Sequence, residues 1–302
     1  MKILESGNEG VQKLRCYSSV FSRSVFMRLI KFNDFSRIDR IGKAYDSDKI
    51  AQQITYGEYL DKIYLSLVSQ YRNEYVVKNA LINKIVSANK CGNISVFNEF
   101  RVGDSIADVV TFNGKSRAYE IKTELDSPKR LSSQSESYLK FFNESYIVVP
   151  RNKIETYLSC IDERIGIIAV STRNEKIVFS KYRRAETLTD NMDIDVLMRV
   201  LWISEMENLV KKWYGILPDV GYFEMFDACK ELIRKIPAEK LSRMVVQTIK
   251  TRKEDDIIFN NNRKSLTQIC LALNINSGQY AQLCNNLNKT INPSYVFPII
   301  TR

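Results

Sequence analysis

A chain of 302 residues with 44% hydrophobic residues can bury a substantial core and form about two domains. Its net charge of +10 and pI near 9.2 favour a partner of negative charge. Nucleic acid fits best, because basic surface steers phosphate backbones and releases their counterions. The complete lack of histidine excludes Ser-His-Asp triads, histidine-dependent nuclease motifs and histidine metal ligands, so any chemistry must use carboxylates, lysine, tyrosine or cysteine.

Residues 1–54 interleave Arg15, Arg23, Arg28, Lys31, Arg37, Arg40 and Lys43 with Tyr17, Phe21, Phe26, Phe32 and Phe35. Such a segment either stacks on flared nucleic acid or packs its aromatics onto a neighbour, and large apolar residues are usually inside. Residues 58–86 are helical by spacing, with Leu60, Ile63, Tyr64, Leu67, Tyr71, Tyr75, Leu81 and Ile85 at three- and four-residue steps. Glu74 falls on that apolar stripe. A buried carboxylate there needs a partner, which a metal site or an i,i+4 pair with Lys78 would supply.

Residues 105–112 and 117–123 are short and β-rich and flank Asn113-Gly114, which predicts a β-hairpin. Along the second strand Glu120, Lys122 and Glu124 share one face. A two-residue loop would pair Asp108 with Tyr119 and leave Glu120 on the opposite face. A three-residue connection, 113–115, would instead set Asp108 opposite Glu120, with Cβ atoms about 5 Å apart, so an odd loop or bulge is expected.

Asp126-Ser127-Pro128 starts a helix to residue 141, with Gln134 in its first turns. Residues 146–150 and 165–170 are compact apolar runs suited to buried strands, with a further helix between them. From about residue 186 the pattern is helical: 194–213, 222–236 and 238–253. Lys211, Lys212, Arg234, Lys235, Arg243, Lys250, Arg252 and Lys253 could line a substrate path, although scattered basic residues more often form a solvated face. Residues 265–287 read as helix, turn, helix, either a helix-turn-helix or, more often for such loose spacing, a plain helical hairpin.

Asp108, Glu120 and Lys122 supply two carboxylates and an amine. Mg²⁺ takes oxygen ligands and keeps several waters, so one or two carboxylates plus phosphate oxygens complete its shell. The metal then activates water and offsets charge at the phosphate, while the lysine holds that water or stabilises developing negative charge. A Glu-x-Lys tripeptide alone fits an ordinary solvated strand face, so the surrounding elements carry the weight. Glu99, Asp104 and Glu124 are acidic neighbours, of which Glu99, at the end of the first core strand, is best placed.

In order and spacing, Glu74 in a first helix, Asp108 on a second strand, Glu120-x-Lys122 on a third and Gln134 in the next helix resemble the core of the PD-(D/E)xK, or restriction-endonuclease-like, nucleases. The leading proline of that motif is replaced by Ala107. More narrowly, Tyr71-Arg-Asn-Glu-Tyr75, Asn98-Glu-Phe-Arg-Val102 and Glu120-Ile-Lys-Thr-Glu-Leu-Asp-Ser127 look like a poorly characterised bacterial and phage family built on that core. The resemblance implies an α/β fold of helix, three-stranded antiparallel meander, helix and strand over residues 55–185. It also implies Mg²⁺ or Mn²⁺ held by Asp108, Glu120 and Glu74, with Lys122 serving the attacking water and Gln134 positioning substrate or the lysine.

The expected organisation is a basic, aromatic segment over 1–54, the nuclease-like core over 55–185 and an all-helical domain over 186–302. The expected activity is metal-dependent hydrolysis of phosphodiester bonds, of DNA, in the cytoplasm. Double-strand cutting by two sites would suit a homodimer. Two alternatives stand beside it: a catalytically inactive nucleic-acid-binding protein of the same fold, and a phage or mobile-element protein-interaction factor. Six scattered cysteines, Cys16, Cys91, Cys160, Cys229, Cys270 and Cys284, form no Cys-x-x-Cys pair and are expected reduced. No apolar run approaches a membrane span or a signal-peptide core, so no membrane partner is expected.

Overall fold

Local signals start and stop most elements of this chain. The computed structural model describes residues 2–50, 53–89, 94–124, 126–252 and 263–292; Cys91, Leu125 of the quoted motif and Lys253 lie outside the described residues. Helices α1 (Lys2–Val20), α2 (Arg23–Phe32), α3 (Ser36–Tyr45), α4 (Ser47–Ile50), α5 (Tyr56–Gln70) and α6 (Glu74–Ala88) precede strands β1 (Ser95–Val102), β2 (Ser105–Asn113) and β3 (Lys115–Ile121). Then come α7 (Leu131–Leu139), β4 (Glu144–Pro150), α8 (Ile154–Leu158), β5 (Gly166–Arg173) and β6 (Lys176–Arg183). Six further helices close the described chain: α9 (Ile194–Val200), α10 (Ile203–Tyr214), α11 (Met225–Arg234), α12 (Ala238–Lys250), α13 (Thr267–Leu273) and α14 (Ser277–Leu287).

The chain divides into two units: residues 1–87, 172–178 and 256–302, and residues 88–171 and 179–255. The three successive segments expected from sequence are therefore regrouped. Helices α9 to α12 belong with the strands, and α13 and α14 belong with the N-terminal helices, because their apolar faces find their cores there.

In the first unit, Tyr17, Phe21 and Phe26 are buried among Leu60, Ile63, Leu67, Ile269 and Leu283. Phe21 stacks on Tyr75 with ring centres 4.7 Å apart, and Phe35 on Tyr56 at 3.8 Å. The N-terminal aromatics thus pack, with Phe32 the exposed exception. The single helix expected over 58–86 is two. Thr55 and Glu58 form a capping box that starts α5. The Asn73 side chain accepts from the Val76 N–H, capping a new start for α6. Helix α13 is buried over Thr267–Leu271, and Asn276 and Gln279 cap α14 reciprocally. Both helices pack against α2.

The second unit is built on a six-stranded mixed sheet of order β1-β2-β3-β4-β5-β6, in which the tip of the β5–β6 hairpin groups with the first unit. β1, β2 and β3 form an antiparallel meander, and β4 and β5 continue parallel to β3 after the crossovers through α7 and α8. The helix expected over 194–213 breaks at Leu201–Trp202, where the Trp202 N–H donates to the Glu205 carboxylate at 2.8 Å. Strand β6 escapes the sequence reading, because its apolar run, Ile177-Val-Phe179, is only three residues long and is flanked by Lys176 on one side and Ser180-Lys181 on the other.

Phe100 organises one core, its ring centre 5.7 Å from Phe97 and Phe112 and about 6 Å from Phe141 and Phe142. Beside it, buried Asn143 ties three segments together. Its Oδ1 accepts from the Ser116 N–H at 2.9 Å, and its Nδ2 donates to the Leu188 carbonyl at 2.8 Å and Ser242 Oγ at 2.9 Å. The next residue, Glu144, accepts from Lys115 at 3.0 Å, Arg117 at 2.8 Å and Thr187 at 3.0 Å. Burial alone would raise the Glu144 carboxyl, but the Arg117 and Lys115 bonds outweigh it and hold it at about 2.

Two outcomes follow from these knots. Asn143→Ala leaves the Ser116 N–H and the Leu188 carbonyl without their partner and is expected to cost about 3 kcal/mol, read as a lower urea midpoint at unchanged m-value. Glu144 has a depressed folded-state pKa, so its contribution is present above pH 4.5 and is lost as pH falls from there toward about 2. Unfolding titrations of Glu144→Gln should therefore lose part of the acid-side slope over that window.

Candidate active site

The hairpin register decides which side chains meet. Asn113 pairs with Lys115 and Phe112 with Ser116, leaving Gly114 at the apex with φ +66°. Only glycine adopts that left-handed conformation without steric cost. The ladder runs on to Val109 opposite Tyr119, so one further step sets Asp108 opposite Glu120. This is the odd connection expected from the sequence.

The neighbouring β1–β2 ladder opens at the same level. It passes from Asn98↔Val109 to Phe100↔Ala107 and skips Glu99, whose φ is +56°. Where regular pairing stops, a side chain completes the bonding: the Ile121 N–H donates to Asp108 Oδ2 at 2.7 Å. Glu99, Asp108 and Glu120 thus stand at one level across β1, β2 and β3, with Glu99 exposed and Glu120 buried.

Glu120 lies at the centre of a hydrogen-bonded cluster. Lys122 donates to its Oε1 at 2.7 Å and also to Gln134 Oε1 at 3.2 Å. Tyr138, one turn after Gln134 on α7, donates to Glu120 Oε2 at 2.7 Å and lies 3.0 Å from the Ile106 carbonyl. Its single proton faces two acceptors, and the charge-assisted bond to the carboxylate is the stronger. Burial, then the negative charge of Glu120, then that of Asp108, push the Tyr138 phenol well above its ordinary range. Both carboxylates therefore act on the same hydroxyl. The Glu120 and Lys122 side chains are only 5% and 13% exposed, so this pair is shielded from the screening that weakens surface ion pairs.

Of the residues singled out by sequence, Asp108, Glu120, Lys122 and Gln134 are gathered around one end of β2, β3 and α7. Glu74 is not buried on an apolar stripe. Its side chain is 60% exposed at the start of α6, in the first unit, and pairs with Lys78 at 2.8 Å. The reason is the break at 71–73, which turns its position from a helix interior into a first turn. There Lys78, rather than Glu74, is the buried member of the pair. Glu124 is exposed and lies 3.4 Å from Asn152 Nδ2, and Asp104 is exposed opposite Arg199. Sequence reasoning missed Tyr138, although its i,i+4 spacing from Gln134 places the two on one helix face.

The donor set is hard oxygen with one ammonium beside it. Among the described residues no group of three or more acidic or cysteine side chains converges on a point. A cation between Asp108 and Glu120 would complete its shell with water and phosphate oxygens, which suits Mg²⁺. Cys229 and Cys270 are buried thiols, and Cys16, Cys160 and Cys284 are partly exposed and free.

The fold and this cluster define a mixed α/β protein with an acidic pair and a lysine at the end of a central β-hairpin. Residues 68–273 match the sequence family described as Bacteriophage P4 protein cII, and the chain belongs to that family. Protein cII of Enterobacteria phage P4 is 24% identical over 188 residues, covering 61% of this chain and 69% of the phage protein. Among solved structures, the SPO1766 protein of unknown function from Silicibacter pomeroyi aligns over 46% of this chain and 92% of its own. At 14% identity and a TM-score of 0.28, that likeness bears on neither fold nor function. No described helix is long and apolar enough to cross a membrane.

Removing the phenol tests the cluster directly. Tyr138→Phe keeps the ring and deletes the bond to Glu120, and is expected to cost about 2 kcal/mol in chemical denaturation, as for a hydrogen bond to a charged group.

Proposed function

We propose that the chain is a metal-dependent nuclease with a restriction-endonuclease-like core, acting on DNA. The observation that carries this reading is the facing register of Asp108 and Glu120 with Lys122 bonded between Glu120 and Gln134. Net charge of +10 supports an anionic polymer as substrate.

Asp108 and Glu120 would supply the protein oxygens for Mg²⁺ or Mn²⁺, which when bound acidifies a water and offsets charge on the phosphate. The chain's own residues do the rest. Glu120, buried and held by Tyr138, keeps a fixed rotamer, so its second oxygen stays aimed at the Lys122 side. Lys122, held by Gln134 Oε1, presents its ammonium beside the carboxylate pair, where it stabilises charge growing on the phosphate and orients the water. The Ile121 amide donates to Asp108 Oδ2 and so fixes the orientation of that carboxylate. The reading rests on these residues of the second unit; Glu74, paired with Lys78, is not part of it.

Purified protein incubated with linear, circular and single-stranded DNA and with RNA, in Mg²⁺, Mn²⁺ or chelator, is expected to cleave DNA only with a divalent ion. Asp108→Ala and Lys122→Ala are each expected to slow cleavage by about 100-fold or more, the usual effect of removing one preorganised electrostatic partner. Full activity in both variants would overturn the assignment.

A further inference from the structure

Arg117 and Tyr119 alternate along β3 with Ala118 and Glu120, so they occupy the other face of the sheet from the carboxylate cluster. On that face Arg117 is level with Glu144, and Tyr119 with Tyr146 and then Gly166, across β3, β4 and β5. The missing side chain at Gly166 makes the space. A Cβ there would lie 2.4 Å from the Tyr146 ring and 2.6 Å from the Ala185 amide nitrogen. The two tyrosine rings stack at 5.6 Å with their planes 14° apart. Above them lies a cavity of about 440 Å³, lined by these rings, Ile168, Arg117, Lys181 and Arg184, within the range that holds a small-molecule ligand.

Its charges are unequal. Glu144, the one acidic lining residue, is already occupied by Lys115, Arg117 and Thr187. Lys181 and Arg184 are exposed at the rim and have no hydrogen bond or ion pair among the described residues. The lining is therefore aromatic and aliphatic in one part, and its exposed part holds two uncommitted cations. A ligand matching both must join a flat, weakly polar body to a compact anion.

We propose that this cavity binds a nucleoside monophosphate unit, its base lying against the Tyr119, Tyr146 and Ile168 wall and its phosphate held by Lys181 and Arg184. Arg184 offers a planar fork for phosphate oxygens and Lys181 a mobile point charge. Glu144 holds Arg117 in place and keeps the floor rigid. The site is separate from the carboxylate cluster, so it binds whether or not that cluster cuts DNA. A nucleotide free in solution and the phosphorylated end of a strand share this chemistry.

Calorimetric titration of the full chain tests it, with AMP, adenosine, inorganic phosphate, and short oligonucleotides with and without a 5′-phosphate as probes. AMP is expected to bind, with adenosine and inorganic phosphate each weaker by about tenfold or more, since each lacks one half of the recognition. Lys181→Ala and Arg184→Ala should each weaken AMP by about tenfold, the usual loss for a charged hydrogen bond. Both side chains are exposed and unpaired, so circular dichroism should not change; Arg184→Lys should retain part of the affinity. Tighter binding of the 5′-phosphorylated oligonucleotide than of AMP would assign the cavity to strand ends, and the reverse order to free nucleotide. Asp108→Ala should bind AMP like the parent, which separates this site from the nuclease reading. Absence of AMP binding, equal affinity for AMP and inorganic phosphate, or binding indifferent to Lys181→Ala and Arg184→Ala would each overturn the proposal.

Discussion

Gly114 turns the β2–β3 hairpin in a left-handed conformation, and the parity of that turn governs what the sheet can do. Side chains alternate with a period of two, so a connection one residue shorter would carry Glu120 to the other face from Asp108. It would also exchange the positions of Tyr119 and Glu120 relative to α7, burying an aromatic ring where a carboxylate now meets Tyr138 and Lys122. Both the acidic cluster on one face and the Tyr119–Tyr146 pair on the other depend on the same register.

A buried carboxylate needs compensation, and the fold concentrates its means there. Glu120 receives an ammonium from its own strand and a phenol from α7, so one helix and one strand are locked by charge as well as by apolar contact. Glu144 follows the same logic on the other face, with Lys115, Arg117 and Thr187 around it. In the first unit, buried Asp46 receives the Tyr59 hydroxyl at 2.9 Å, that of Tyr17, and Lys13 at 3.2 Å. Each of these acids takes at least one partner distant in sequence. Such networks specify one arrangement, because leaving any member unpaired costs more than forming the bond returns.

The interruption of the β1–β2 ladder at Glu99 and Asp108 lies at the same level. On the other side of β2 the β2–β3 ladder stops at Val109 opposite Tyr119, and just beyond that point Asp108 takes the hydrogen bond of the Ile121 N–H and holds a defined orientation. Irregular strand pairing recurs where a side chain must be re-aimed, and here it sits beside the residues on which the nuclease reading rests.

The alternation of 105–112 and 117–123, the Asn-Gly turn and the apolar run at 146–150 were legible in the sequence, and parity arithmetic showed that an odd connection, unlike a two-residue one, would set Asp108 opposite Glu120. Caps were less legible. Asn73 and Trp202 divide what periodicity presents as continuous helices, since a break of two or three residues barely disturbs an apolar stripe. Local sequence decided element type, turn and strand face, because those depend on neighbours a few positions away. Tertiary structure alone decided that Lys78 rather than Glu74 is buried, that Tyr138 joins Glu120, that α13 and α14 pack with the first helices, and that Lys181 and Arg184 stand at the rim above two tyrosines. Those outcomes depend on which faces meet between separate segments, as far apart as Asn286 and Leu29, and periodicity within one segment carries no information about the segment it will pack against.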